Sequence, residues 1–181
     1  MKIIVIILSA FLLMGTSGQP GIYATNTGII HFSSEAPMEL INASSKELKG
    51  AVDPDKRTFA FRVRINSFEG FNSPLQKEHF NENYMETEKI PEALFSGKII
   101  EDVKLFVNGV YSIRAKGMLT VHGVSQERII KSEVEVKNGV MKIKSKFTLL
   151  LSDHNIPIPR VVKEKLANEI KVEITAVLIQ K

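Results

Sequence analysis

Cysteine is absent from this chain of 181 residues. No disulfide can staple the fold, so its stability must come from an apolar core. The same absence excludes a lipid-modified cysteine near the N-terminus and a thiol nucleophile. Charge of one sign is also scarce. The net value is +4, too mild for a chain built to track a nucleic-acid backbone. Long apolar runs are missing as well. The run from Ile3 to Met14 falls short of the roughly 20 residues that a bilayer-spanning helix needs. There is no internal repeat, no low-complexity tract, and no serine in a strand–turn–helix elbow. What the chain does have is 44% hydrophobic and 24% charged residues, the proportions of one ordinary globular domain.

The start, "MKIIVIILSAFLLMGTSGQPG", has Lys2, a short apolar run, and small residues at Gly15, Thr16, Ser17 and Gly18. A basic beginning, a short apolar middle and a small-residue exit describe a secretory signal peptide. Cleavage is expected after Gly18, giving a signal peptide over 1–18 and a single domain over 19–181. The mature protein is therefore expected to be exported, periplasmic or secreted, with no transmembrane anchor.

Alternation of apolar and polar residues dominates the rest. In "TFAFRVRI", Phe59, Phe61, Val63 and Ile65 share one face, while Ala60, Arg62 and Arg64 share the other. In "YSIRAKGMLTV", Tyr111, Ile113, Ala115, Gly117, Leu119 and Val121 are in phase. In "MKIKSKFTL", Met141, Ile143, Ser145, Phe147 and Leu149 oppose Lys142, Lys144, Lys146 and Thr148. The lysine face has no interleaved aromatics and reads as a solvated sheet surface. Further strands are expected at Ile29–Ser34, in "SKELKGAV", and at Glu92–Ile100, Gln126–Val136 and Glu169–Ile179. Asn108-Gly109, His122-Gly123 and Asn138-Gly139 read as tight turns, and Asp53-Pro54-Asp55 as a break. Eight strands with one apolar face each predict an all-β fold, an antiparallel barrel. Ser73–Glu82 reads as a short helix with Ser73 as N-cap and Pro74 in its first turn. Pro159–Ala167 reads as a second, with Val161, Val162 and Leu166 on its buried side.

Chemistry-bearing residues are few. His79 and Glu82 stand three apart on the expected helix, and Glu86 follows one turn later. As a metal-dependent site this trio lacks a second histidine at ligand spacing, because His31, His122 and His154 are scattered. Asp153-His154 is an adjacent pair that would supply half of a hydrolytic triad, but a loop aspartate before a turn usually hydrogen-bonds backbone. No metal, cofactor or catalytic residue is assigned, and His79 is expected to act as a structural anchor.

The inner face carries more information. Phe32, Leu48, Phe59, Phe61, Val63, Phe95, Tyr111, Ile113, Leu119, Met141, Phe147 and Leu149 are expected to line it. Gly50, Gly97, Ala115, Gly117 and Ser145 lie in phase with them and favour a hollow, although a filled barrel acting through its surface fits the same pattern. Within "KEHFNENYMETEKIPEALFSG", Phe80, Tyr84, Met85 and Phe95 are expected to cover or line an opening.

In order, "HFSSEAPMELI", "LKGAVDP", "FAFRVRINSF", "HFNENYMETEKIPEALFSGKI", "GMLTVHGV" and "FTLLLSDHNIPIP" resemble the YceI family. The resemblance covers nearly the whole mature chain. It implies a lipocalin-like eight-stranded barrel whose long apolar pocket holds an extended isoprenoid or similar amphiphilic lipid, with no enzymatic activity. The inner face and lid residues above, Gly117 included, would form that pocket, and a homodimer is left open beside a monomer. Hydrophobic transfer would drive binding at about 0.8 kcal/mol per buried CH₂ group, or roughly 3–4 kcal/mol per isoprene unit. His154 stands where relatives often carry an aromatic, and at the barrel mouth it would make the rim more polar.

Overall fold

The computed structural model describes residues 21–181; the expected leader and its cleavage site lie outside them. Eight strands form: β1 (Tyr23–Glu35), β2 (Leu40–Asp53), β3 (Thr58–Arg64), β4 (Glu92–Ile99), β5 (Gly109–Val121), β6 (Val124–Lys137), β7 (Val140–Leu150) and β8 (Glu169–Gln180). Each pairs antiparallel with its sequence neighbours, and β8 returns to β1, closing the barrel. Closure leaves no sheet edge exposed for pairing with another chain. Period-two alternation survives intact in β7, where Met141, Ile143 and Ser145 are buried and Lys142, Lys144 and Lys146 are exposed.

The turns follow their chemistry. At His122-Gly123 (φ 50° and 71°) and Asn138-Gly139 (φ 52° and 75°), both central residues are left-handed, as a two-residue hairpin matching the strand twist requires. Asp53 Oδ1 accepts the Asp55 and Lys56 amides at 3.1 and 2.9 Å, folding the β2–β3 turn onto itself. Asn108-Gly109 differs from expectation. Gly109 opens β5 after an irregular 100–108 loop, and the Asn108 side chain accepts the Asn138 amide at 3.0 Å instead of making a hairpin.

β1 starts well before the expected Ile29, because its register with β2 shifts between Thr25 and Gly28 and again between Gly28 and Ile30. Such bulges scramble the alternation that reveals a strand. The helix forms as expected over α1 (Pro74–His79), with Ser73 Oγ accepting the Gln76 amide at 3.1 Å. It then widens into a π-helical turn over Phe80–Tyr84. The second expected helix is only a single 3-10 turn over Arg160–Val162. Val161 is 90% exposed there, contrary to its expected burial; Val162 and Leu166 do turn inward. Among the described residues no helix is long and apolar enough to cross a membrane.

Candidate ligand cavity

Up-and-down connectivity sorts the connections into two ends. Turns 54–57, 100–108 and 138–139 lie at one end, with the first and last strand residues. Segments 36–39, 65–91, 122–123 and 151–168 lie at the other. At the first end the interior is filled. Tyr23, Leu105, Val134, Val136, Met141 and Leu178 are all buried to 2% exposure or less. Leu105 enters from the 100–108 loop as a plug, and the Tyr111 hydroxyl fastens that loop, lying 2.9 Å from the Val107 carbonyl and 3.2 Å from that of Lys104.

Towards the opposite end the barrel hollows out into a cavity of about 460 Å³, within the usual range of small-molecule sites. Strand residues Phe32, Val63, Leu119, Phe147 and Leu149 form its walls, and Phe80, Tyr84 and Met85 descend from the helical segment. The π-helical turn brings these three over the opening, a use of π-helical backbone common at functional sites. A smaller cavity of about 100 Å³ lies deeper, lined by Leu48, Phe59, Phe61, Phe95, Ile113 and Met141 among others. Ile30, Val63, Ala93, Leu119 and Phe147 line both, so one wall joins the wide space to the narrow one.

Four aromatics cap the wide cavity. The Phe80 ring stacks on Phe32 (centroids 5.5 Å apart, 19° between planes) and packs against Phe71 at 5.0 Å and Phe68 at 6.1 Å. Offset and tilted aromatic pairs of this kind contribute beyond their buried area. Phe95 is not at the opening; it packs at 4.8 Å against Phe59 in the narrow region.

Two expected site residues lie outside both linings: Tyr111, which holds the bottom loop, and Gly117. The glycine pattern also has a different cause from a hollow. Gly97 and Gly117 are register partners on β4 and β5. A Cβ on Gly97 would sit 2.1 Å from the Lys116 carbonyl oxygen, and one on Gly117 would sit 2.1 Å from that of Ser96. Their role is close backbone approach. Gly50 faces Phe61 in register, and the Phe61 ring occupies the space of its missing side chain. Ala115 and Ser145 do line the narrow cavity.

Sequence reasoning missed Phe68 and Phe71, which sit in an irregular connector without periodicity, and the polar groups of the rim. Glu39, Gln76, His79 and Lys165 border the wide cavity. Gln76 Nε2 donates to Glu39 Oε1 at 2.9 Å, tying α1 to the β1–β2 turn. Below the helical segment, Glu86 Oε2 lies 3.2 Å from His122 Nε2, while His122 Nδ1 lies 3.2 Å from the His154 carbonyl. Glu86 thereby fastens the end of the lid to the β5–β6 turn. The Lys89 ammonium, with His122 second, holds the Glu86 carboxyl below the usual carboxylate range.

The residues considered for a metal or hydrolytic site do not come together. Glu82 is exposed and outside the lining, Glu86 is engaged with Lys89 and His122, and among the described residues no three His, Asp or Glu side chains form a metal-ligating group. His154 is fully buried and does not reach the rim; its Nδ1 donates to the Val124 carbonyl at 3.0 Å. Its neighbour Asp153 offers its main-chain carbonyl to Gln126, with its carboxylate 3.9 Å from Arg128.

A closed eight-stranded antiparallel barrel with an apolar interior space is the architecture of the lipocalin-like class. Within it, the chain belongs to the YceI family, whose YceI-like domain matches residues 26–178. The chain is similar in fold to a polyisoprenoid binding domain from Saccharophagus degradans implicated in plant cell wall breakdown (TM-score 0.74, 12% identity, covering 89% of this chain and 99% of that one). It also resembles Burkholderia cenocepacia BcnA (TM-score 0.69, 13% identity, 84% and 96% coverage). A Campylobacter jejuni YceI protein aligns at TM-score 0.58 and 13% identity, over 100% of this chain and 91% of that one. At these identities the likeness is one of fold. No curated protein matches the chain significantly.

Proposed function

We propose that the barrel holds one long-chain apolar lipid, an isoprenoid or comparable amphiphile, for carriage, storage or stress-related buffering. The observation that carries this reading is the apolar space of about 460 Å³ under the aromatic lid, continued by a narrower one along a shared wall. Its tapered shape suits a flexible chain threaded end-on, with the polar end left at the rim near Gln76, His79 and Lys165. Binding rests on hydrophobic transfer at about 0.8 kcal/mol per buried CH₂, so three or four isoprene units outweigh the usual association costs. That energetics selects length and shape more than chemical detail. The polyisoprenoid-binding character of a structural neighbour supports the same ligand class. We further propose that residues 1–18 direct export and that 19–181 act as one domain in the periplasm or outside the cell.

Native mass spectrometry tests the reading, on protein purified from its natural host or mixed with host lipid extract. One bound lipid per chain is the expected result. A chain that neither retains nor takes up lipid would overturn it.

A further inference from the structure

Single exposed apolar side chains are ordinary on a soluble protein. Those at the cavity end are arranged differently, because they ring one opening. Met38 (70% exposed) tops the β1–β2 turn, Leu40 begins β2, Leu75 lies on α1, and Val161 (90% exposed) tips the β7–β8 connector.

Hydrogen bonds knit these three segments into one rim. The Met38 amide donates to the Glu164 carbonyl at 2.8 Å. The Ala167 amide donates to Ser34 Oγ at 2.9 Å. Asn72 Nδ2 donates to the Leu40 carbonyl at 3.0 Å, and Gln76 reaches Glu39 as described. Beside Val161 stand Arg160, Lys163 and Lys165, with Glu164 the one acidic residue of that stretch. None of the three cations joins an ion pair among the described residues. Of the rim's acids, Glu35 pairs with Lys171 at 2.6 Å and Glu69 pairs with Lys77, while Glu39 accepts from Gln76 and Asn72 and, like Glu78 and Glu164, has no cation partner among the described residues.

We infer that this rim is a docking surface for the face of a lipid bilayer containing anionic phospholipid. Met38, Leu75 and Val161 would enter the headgroup boundary, and Arg160 and Lys163 would face the phosphates. Three features favour a bilayer over a protein partner. The apolar groups are isolated tips on separate segments, suited to insertion between lipids and unsuited to a flat protein interface. Unpaired cations flank Val161, the most exposed of these tips, as anionic headgroups require. The surface is also continuous with the apolar cavity, so a lipid could pass from leaflet to barrel without crossing water. This inference rests on the lipid-binding reading above.

The test uses the expected mature chain, residues 19–181, in co-sedimentation with two vesicle types. One is a phosphatidylglycerol–phosphatidylethanolamine mixture, the other phosphatidylcholine alone. Each basic side chain near an anionic surface strengthens binding about fivefold. The parent should therefore prefer the anionic vesicles by at least about tenfold, less so as salt rises. Met38→Glu with Val161→Glu should lower anionic-vesicle binding at least about tenfold. Arg160→Glu with Lys163→Glu should abolish the preference. Neither pair lines the cavity, so uptake of a soluble fluorescent farnesyl probe and the thermal midpoint should stay at parent values. A parent that sediments with neither vesicle overturns the docking inference even when the probe binds. So does a Met38/Val161 variant that binds like the parent, or a rim that only dimerises the chain in light scattering. Vesicle binding without probe uptake would instead remove the cavity reading and leave docking standing.

Discussion

The filled end of the barrel and its open end arise from the same inward alternation, yet they do opposite things. At the filled end, Tyr23, Leu105, Val136 and Leu178 are buried and line neither cavity, while Val134 and Met141 close the foot of the narrow one. At the open end the connections are longer and run around the rim, leaving Phe32, Phe68, Phe71 and Phe80 as a roof over a void. The difference teaches that strand pattern decides which side chains face inward. Whether they meet, or leave room for a ligand, depends on what the connecting segments bring across the opening.

The largest effect should come from the wall between the two ends. Gly97→Leu would drive a side chain into the β5 backbone, 2.1 Å from the Lys116 carbonyl, and should destabilise the barrel by about 4 kcal/mol or prevent folding. Urea denaturation measures this; an unchanged midpoint would show that the strands separate freely there. The same contact makes Gly117→Leu a test of β4–β5 pairing, unsuited to plugging the pocket. Next comes the filled end. Met141→Ala should cost about 2–5 kcal/mol, as large-to-small changes in packed cores do, while lipid stoichiometry by native mass spectrometry stays at one.

The open end should respond the other way round. Phe80→Ala should cost only about 1–2 kcal/mol, because the ring is half-buried, yet it should speed lipid release several-fold in a transfer assay. Equal stability losses at Met141 and Phe80 would dissolve the contrast. At the junction, Ala93→Phe should narrow the passage. Affinity should fall about tenfold for long polyprenols, a loss of about 1.4 kcal/mol, with short ones little affected. The smallest effect is electrostatic. The folded Glu86 carboxyl lies below its ordinary value, so its contribution is present above the unfolded pKa and lost as pH falls through the folded one. Acidification from neutral pH to below the ordinary carboxylate range should therefore loosen the lid slightly. Hydrogen exchange at Phe80–Glu86 should rise with that fall in the parent but not in Glu86→Gln.

Legibility in the sequence follows from locality. β7 and the Ser73 cap were readable because each depends on a few adjacent residues. The first part of β1 was not, since its bulges interrupt the phase that marks a strand. Fourteen of the sixteen expected site residues line one cavity or the other. Tyr111 and Gly117 do not, because sharing a face does not fix height along the barrel or distance to the opposite strand. Phe68 and Phe71 carried no periodic signal, lying in a connector whose path is set by tertiary contacts.

By itself, the sequence determined the strand count, the inward faces, the hairpin turns at His122-Gly123 and Asn138-Gly139, the helix start, and the motifs that mark the family. Each follows from period-two side-chain direction or from the backbone preferences of one or two residues. Tertiary structure alone decided that glycines at 97 and 117 bring two backbones together, that His154 is interior, and that one end is plugged while the other is roofed over a cavity. Those outcomes depend on which residues meet across a closed barrel, and closure joins positions as distant as Ala167 and Ser34, whose separation along the chain carries no trace of their contact.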